Sequence, residues 1–174
     1  MQFGFQTATE IAFGRGVAAR ATDALAALSD RVLIVHGASP ARAGWLIDAL
    51  KAKGVRVATL GAPGEPSVSD VEQGAALAKE HGIGAVAGLR GGSANDLAKA
   101  VGALAPATRP ALDHLEVVGK GLPLEAAPLP FVAIPTTAGT GAEVTKNAVI
   151  GVPEHGRKVS LRDARMLPRL ALVD

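Results

Sequence analysis

Two short stretches of this sequence carry residue types suited to binding phosphate. Gly91-Gly92-Ser93 follows an apolar run, Ala85 to Leu89, and precedes an Ala-rich stretch of helical period. A turn of that kind frees backbone N–H groups from obstruction by Cβ atoms, and the positive end of the helix dipole adds to them. The same residues would equally make a plain tight turn, with Ser93 as the helix cap. The second stretch, Pro135-Thr136-Thr137-Ala138-Gly139-Thr140-Gly141, follows another apolar run, Phe131 to Ile134. It supplies hydroxyls at the carboxyl end of a strand, where ligands of open α/β sheets bind. The two turns together could hold a pyrophosphate. Neither is a standard fingerprint: G-x-G-x-x-G is absent at this strand and G-x-x-x-x-G-K-(S/T) is absent altogether, so neither a standard Rossmann site nor a P-loop is supported.

Other candidates are weaker. Asp96 and Lys99 stand three residues apart at the start of the helix after Ser93, a spacing at which they can pair on one face. An exposed ion pair, worth about 0–1 kcal/mol, is the expectation. Glu143, just after the threonine turn, has the chemistry of a general base, but a carboxylate at a helix start more commonly serves the dipole. His36, His81, His114 and His155 show no metal-ligand spacing and are expected to be structural or solvent-facing. No G-x-S-x-G elbow is present for acyl transfer.

These candidates need elements to position them, and the chain alternates strand-length apolar runs with helical stretches, the pattern of βαβ units and a parallel sheet. After a short N-terminal piece, Phe3 to Phe13, Arg31 to His36 reads as a buried strand. A helix opens at Pro40 and Ala41, presents Trp45, Leu46, Ala49 and Leu50 on one face and stops at Gly54. Val55 to Leu60 is a strand, and Ser69 to Glu72 a capping box opening a helix to His81-Gly82. Ala85 to Leu89 is the next strand, followed by a helix over Ala94 to Leu104. Five prolines make residues 105–130 a loop with at most one short element. Phe131 to Ile134 is a fourth core strand. Ala148 to Val152 and Leu170 to Val173 are further strand candidates, with basic residues between and around them.

A chain of 174 residues, 48% hydrophobic and 20% charged, can bury a core as a single domain. A formal charge of +2 and 3% aromatic content argue against nucleic-acid binding. No apolar run reaches the roughly 18 residues of a membrane span. With no cysteine there is no disulfide framework, and with Arg15 as the first cation no charged segment opens a signal peptide, so a cytoplasmic location is expected.

Pro135 to Thr145 is similar to the P-T-T-A-G-T-(G/A)-(S/A)-E-V-T segment of the iron-containing (group III, metal-dependent) alcohol dehydrogenases. Gly91 to Lys99 resembles that family's G-G-G-S-x-x-D-x-A-K, Phe13 to Gly16 its F-G-x-G, and Lys158 through Pro168 to Asp174 its K…P…L-V-D stretch. The resemblance implies a Rossmann-like parallel sheet flanked by helices with a short N-terminal β piece, the dehydroquinate synthase-like N-terminal half, with residues 1–174 forming one NAD(P)-binding domain. It places Gly91, Gly92 and Ser93 on the pyrophosphate, with Asp96 of the same motif also among the cofactor-binding residues. Thr136, Thr137, Ala138, Gly139 and Thr140 would surround the nucleotide, and Asn147 and Lys158 lie near the nicotinamide ribose. NAD or NADP is the implied cofactor, a small alcohol or aldehyde the substrate, and a homodimer a possible assembly.

Three features depart from the pattern. Arg90 stands at the first glycine of the triple-glycine turn. His36-Gly37 follows the first parallel strand where the family often has an acidic residue for the adenosine ribose. The family's helical C-terminal domain, which supplies ligands for a divalent iron or zinc, is expected to be absent from this chain, leaving it inactive alone. A non-catalytic nucleotide-binding module, a polyol dehydrogenase half, a maleylacetate reductase-like half and a simple anion-binding scaffold are the alternative readings.

Overall fold

A computed structural model describes residues 2–174. In chain order it contains β1 (Ile11–Phe13), α1 (Arg20–Leu28), β2 (Arg31–His36), α2 (Gly44–Ala52), β3 (Arg56–Gly61), α3 (Val68–Glu80), β4 (Ala85–Leu89), α4 (Gly92–Leu104), α5 (Ala111–His114), β5 (Phe131–Ile134), β6 (Asn147–Val152), β7 (Arg157–Arg162) and β8 (Leu170–Val173). Six strands form one parallel sheet in the order β1-β8-β5-β4-β2-β3, and β6 pairs with β7 as a separate antiparallel hairpin.

The central strands read as unbroken apolar runs because both faces of the sheet are covered. Val32, Ile34, Ala85, Ala87, Val132 and Ile134 face the layer of α1 and α2. Leu33, Val35, Val86, Phe131 and Ala133 face α3, α4 and the hairpin. Close approach of α4 to β4 depends on Gly88, where an added Cβ would stand 2.5 Å from Asn95 Oδ1 and 3.0 Å from Asn95 Cα. Among the described residues no helix is long and apolar enough to cross a membrane.

Two expectations are corrected and two further elements are found. The capping box of α3 is Ser67 with Asp70, not Ser69 with Glu72: the Asp70 N–H donates to Ser67 Oγ at 3.2 Å, and Asp70 Oδ2 accepts the Ser67 N–H at 2.8 Å. Ser69 is already helical and accepts from Gln73. Trp45 does not join the buried face of α2 but remains 43% exposed. Arg157 to Arg162 is a strand, with Val159 and Leu161 turned into the core. Arg20–Leu28 is a helix with no side-chain cap to announce it.

Candidate functional site

From β2 the chain pairs outward to β3 and then returns to pair β4 on the other side of β2. That reversal is the topological switch point of the sheet, and the crevice beyond the carboxyl ends of β2 and β4 is where such sheets bind ligands. Both phosphate-suited turns border it.

Gly91 is the N-cap of α4, in extended backbone with φ −63° and ψ −177°, and no side chain caps the helix. The first-turn N–H groups therefore lack both an intrahelical acceptor and a side-chain cap, at the positive end of a 13-residue helix. Ser93 falls inside the helix and does not serve as the cap expected of it. The threonine turn presses directly on this terminus. A Cβ at Gly92 would lie 2.6 Å from Thr140 Oγ1, and one at Gly91 would lie 3.6 Å from Thr137 Oγ1. Thr136, Thr137, Ala138, Gly139 and Thr140 are exposed. A side chain at 92 would have to displace that of Thr140.

Asn95 was not singled out from sequence, yet it fixes the turn. Almost wholly buried, its Nδ2 donates to the carbonyls of Arg90 at 2.7 Å and Gly91 at 3.2 Å. Arg90 N–H bonds Ile134 O at 3.0 Å, joining the ends of β4 and β5.

Asp96 and Lys99 do not form the exposed ion pair expected of their spacing. Lys99 is 1% exposed and its Nζ donates to three carbonyls, Ala142 at 2.6 Å, Thr145 at 2.8 Å and Asn147 at 2.9 Å. An ammonium on α4 thus clamps the segment joining the threonine turn to β6. Burial lowers its pKa to about 8, against the charges of Asp96 and Glu143, which hold it up. Asp96 is half-buried. Desolvation raises its carboxyl to about 6, opposed by Lys99 and a backbone hydrogen bond from Val149 and assisted by the charge of Glu65.

Asn147 and Lys158 sit toward opposite ends of the hairpin, Asn147 opposite Arg162 and Lys158 opposite Gly151. Asn147 joins the threonine turn through Lys99. Lys158, exposed, pairs with Glu65 at 2.7 Å and so approaches the surroundings of Asp96. The four histidines are dispersed: His36 contacts the Gly37 carbonyl at 2.6 Å, His114 lies buried with Nδ1 3.1 Å from Leu122 O, and His81 and His155 are exposed. Among the described residues no group of three or more His, Asp or Glu side chains could hold a metal ion.

On the α1–α2 side of the crevice, a cavity of about 340 Å³ opens between Arg42, Trp45, Arg90, Thr136 and Asp174. The Asp174 carboxylate is already engaged, accepting the N–H groups of Gly16 and Ala18 at 2.9 Å each, which lowers its pKa. A depression of about 470 Å³ lies elsewhere, between Arg31, Arg56 and His81 on the opposite edge of the sheet and remote from both turns.

Residues 8–174 match the family described as iron-containing alcohol dehydrogenase. A Bacillus subtilis protein named probable NADH-dependent butanol dehydrogenase 1 is 32% identical over 177 residues, covering 99% of this chain and 45% of that protein. NADH-dependent butanol dehydrogenase A of Thermotoga maritima superposes with a TM-score of 0.87 at 27% identity, covering 99% of this chain and 44% of that one. Sulfoacetaldehyde reductase from Bifidobacterium kashiwanohense, solved in complex with NAD+, gives 0.84 at 28% identity, covering 100% and 46%. The chain spans 24% to 45% of the length of the curated relatives it matches.

Proposed function

This chain belongs to the iron-containing alcohol dehydrogenase family, and we propose that it forms the dinucleotide-binding part of an oxidoreductase moving hydride between a small alcohol or aldehyde and a nicotinamide cofactor. The observation that carries this reading is the uncapped N-terminus of α4 beneath the Gly91-Gly92 turn, in contact with the exposed threonine turn at the switch point of the sheet. A dinucleotide fits these residues, because the donors converge on one crevice and Gly91 carries no side chain to obstruct it. The NAD+ complex and the NADH-dependent names among the relatives point the same way.

In this reading the N–H groups of Gly92 and Ser93 donate to the pyrophosphate, with Gly91 giving it room. Thr136, Thr137 and Thr140 donate hydroxyl hydrogen bonds along the nucleotide, with Ala138 and Gly139 keeping the turn low beside it. Lys99 holds that turn and Asn147 in register with α4. Asn147 and Lys158 are assigned to the nicotinamide end, with Asp96 beside Val149 of the same hairpin. The nicotinamide, when bound, supplies the hydride chemistry. Metal-assisted polarisation of the alcohol oxygen belongs to the family's chemistry. The described residues offer no such ligand set, so the part proposed for this chain is to hold and orient the cofactor.

Titration of the 174-residue chain with NADH and NADPH, followed by quenching of its single tryptophan, Trp45, tests the reading. Saturable binding of either cofactor, competed by inorganic pyrophosphate, supports it. Absence of saturable binding by both overturns it.

A further inference from the structure

We propose that the cavity beside the glycine turn takes the 2′-phosphate of an adenosine ribose, so that this chain selects NADPH over NADH; the proposal rests on the dinucleotide reading above. The first observation is Arg90. Its φ is +114°, a backbone conformation that side chains with a Cβ rarely adopt, and it is one of two non-glycine residues with positive φ in the described chain. The resembled motif has glycine there. Conformations of this kind persist where the surroundings impose them, and they gather at ligand clamps.

The second observation is where that side chain goes. An added Cβ at Gly37 would stand 2.9 Å from Arg90 Cδ, 3.5 Å from Nη1 and 3.6 Å from Nε. The guanidinium therefore lies across the end of β2. In dinucleotide folds an acidic side chain bonding the ribose 2′-hydroxyl selects NAD, whereas a nearby arginine accommodates the 2′-phosphate of NADP. Here the segment His36-Gly37-Ala38-Ser39 offers no carboxylate, and a side chain at 37 would displace the arginine. An acceptor has given way to a donor.

The third observation is charge. Arg42 and Arg90 both line the cavity, and among the described residues neither has a carboxylate within 4 Å. Asp174, the carboxylate of the lining, is occupied by two backbone N–H groups. Two unpaired guanidiniums thus face a cavity whose own acid is already satisfied. They match a dianionic phosphate, which they can bind through charge-assisted and bidentate hydrogen bonds. Trp45, 43% exposed on the same cavity, gives the adjoining purine a face to lie against.

Calorimetric titration of the 174-residue chain with NADPH, NADH, adenosine 2′,5′-bisphosphate and 5′-AMP provides the test. The expected result is NADPH tighter than NADH by about tenfold or more, as one or two charge-assisted contacts give, with the bisphosphate ahead of AMP in the same order. Arg90→Gly suits the backbone at this position, so it folds, and it brings NADPH down to the affinity of NADH while leaving NADH little changed. Arg42→Ala shifts the ratio in the same direction. Binding of both cofactors with NADH equal or tighter overturns this proposal and leaves the dinucleotide reading standing, as does an NADPH-to-NADH ratio unmoved in Arg90→Gly. Failure of both cofactors to bind removes the dinucleotide reading itself.

Discussion

Replacing Asp96 with Asn is expected to stabilise the protein at neutral pH and to leave it unchanged in acid. Desolvation raises the carboxyl from 3.8 to about 6, which corresponds to roughly 3 kcal/mol between its charged and neutral forms. Part of that is offset, because the charge attracts the buried Lys99 and its loss leaves that ammonium less well compensated. The net gain expected at pH 7 is therefore about 1–2 kcal/mol. The sign follows from proton counting. A carboxyl whose folded pKa lies above its unfolded one binds more protons in the native state between the two values, so its contribution is complete below the unfolded value of 3.8 and is lost as pH rises through about 6. Asn keeps an acceptor for the Val149 N–H and carries no titration. Urea unfolding of both proteins between pH 4 and pH 7 measures the effect. The wild type should lose stability relative to the variant across that window, and the two should coincide at its acid end. A variant less stable than wild type by the same amount at every pH would refute the assignment of burial as the dominant influence on Asp96.

Three further outcomes follow from the geometry. Lys99→Met leaves three carbonyls without their donor while relieving one buried charge, and should cost about 2–4 kcal/mol in urea unfolding; hydrogen exchange should rise first in residues 140–147. Arg90→Gly relieves a strained φ of +114° at some cost in chain entropy, and should raise stability by about 1 kcal/mol while weakening NADPH binding. Gly88→Ala sets a methyl 2.5 Å from Asn95 Oδ1 and 3.0 Å from its Cα, and should lower the unfolding free energy by about 1–3 kcal/mol by forcing α4 away from β4.

The sheet and both turns were legible because their determinants are local. Strands covered on both faces must be continuously apolar, and a strand running directly into Gly91-Gly92 or Thr136-Thr137 announces its turn. The remaining features are set by distant parts of the chain. The segment leading into α1 has its cap in Asp174, which binds Gly16 and Ala18 across 158 and 156 residues, so no start signal appears beside the helix. Lys99 looked like a solvated helix residue because the segment that buries it, residues 142–147, lies more than 40 residues later in the chain. The strand β7 does carry an alternating pattern, with Val159 and Leu161 inward between basic residues, but those charges read more readily as a solvated loop. Ser67 and Ser69 each precede an acid by three residues, and spacing alone does not separate them; Ser67 wins because its own N–H and hydroxyl both reach Asp70.

The two turns at the carboxyl edge of the sheet are proposed to act as a single dinucleotide site. Amide chemical-shift mapping of the 15N-labelled chain during titration with NADPH and NADH addresses it directly. The largest shifts are expected on Gly92, Ser93 and Ala94 at the start of α4 and on Thr137 to Thr140, moving together along one binding curve. Shifts confined to other surfaces, such as the depression between Arg31 and Arg56, or no shifts at saturating cofactor, would contradict it.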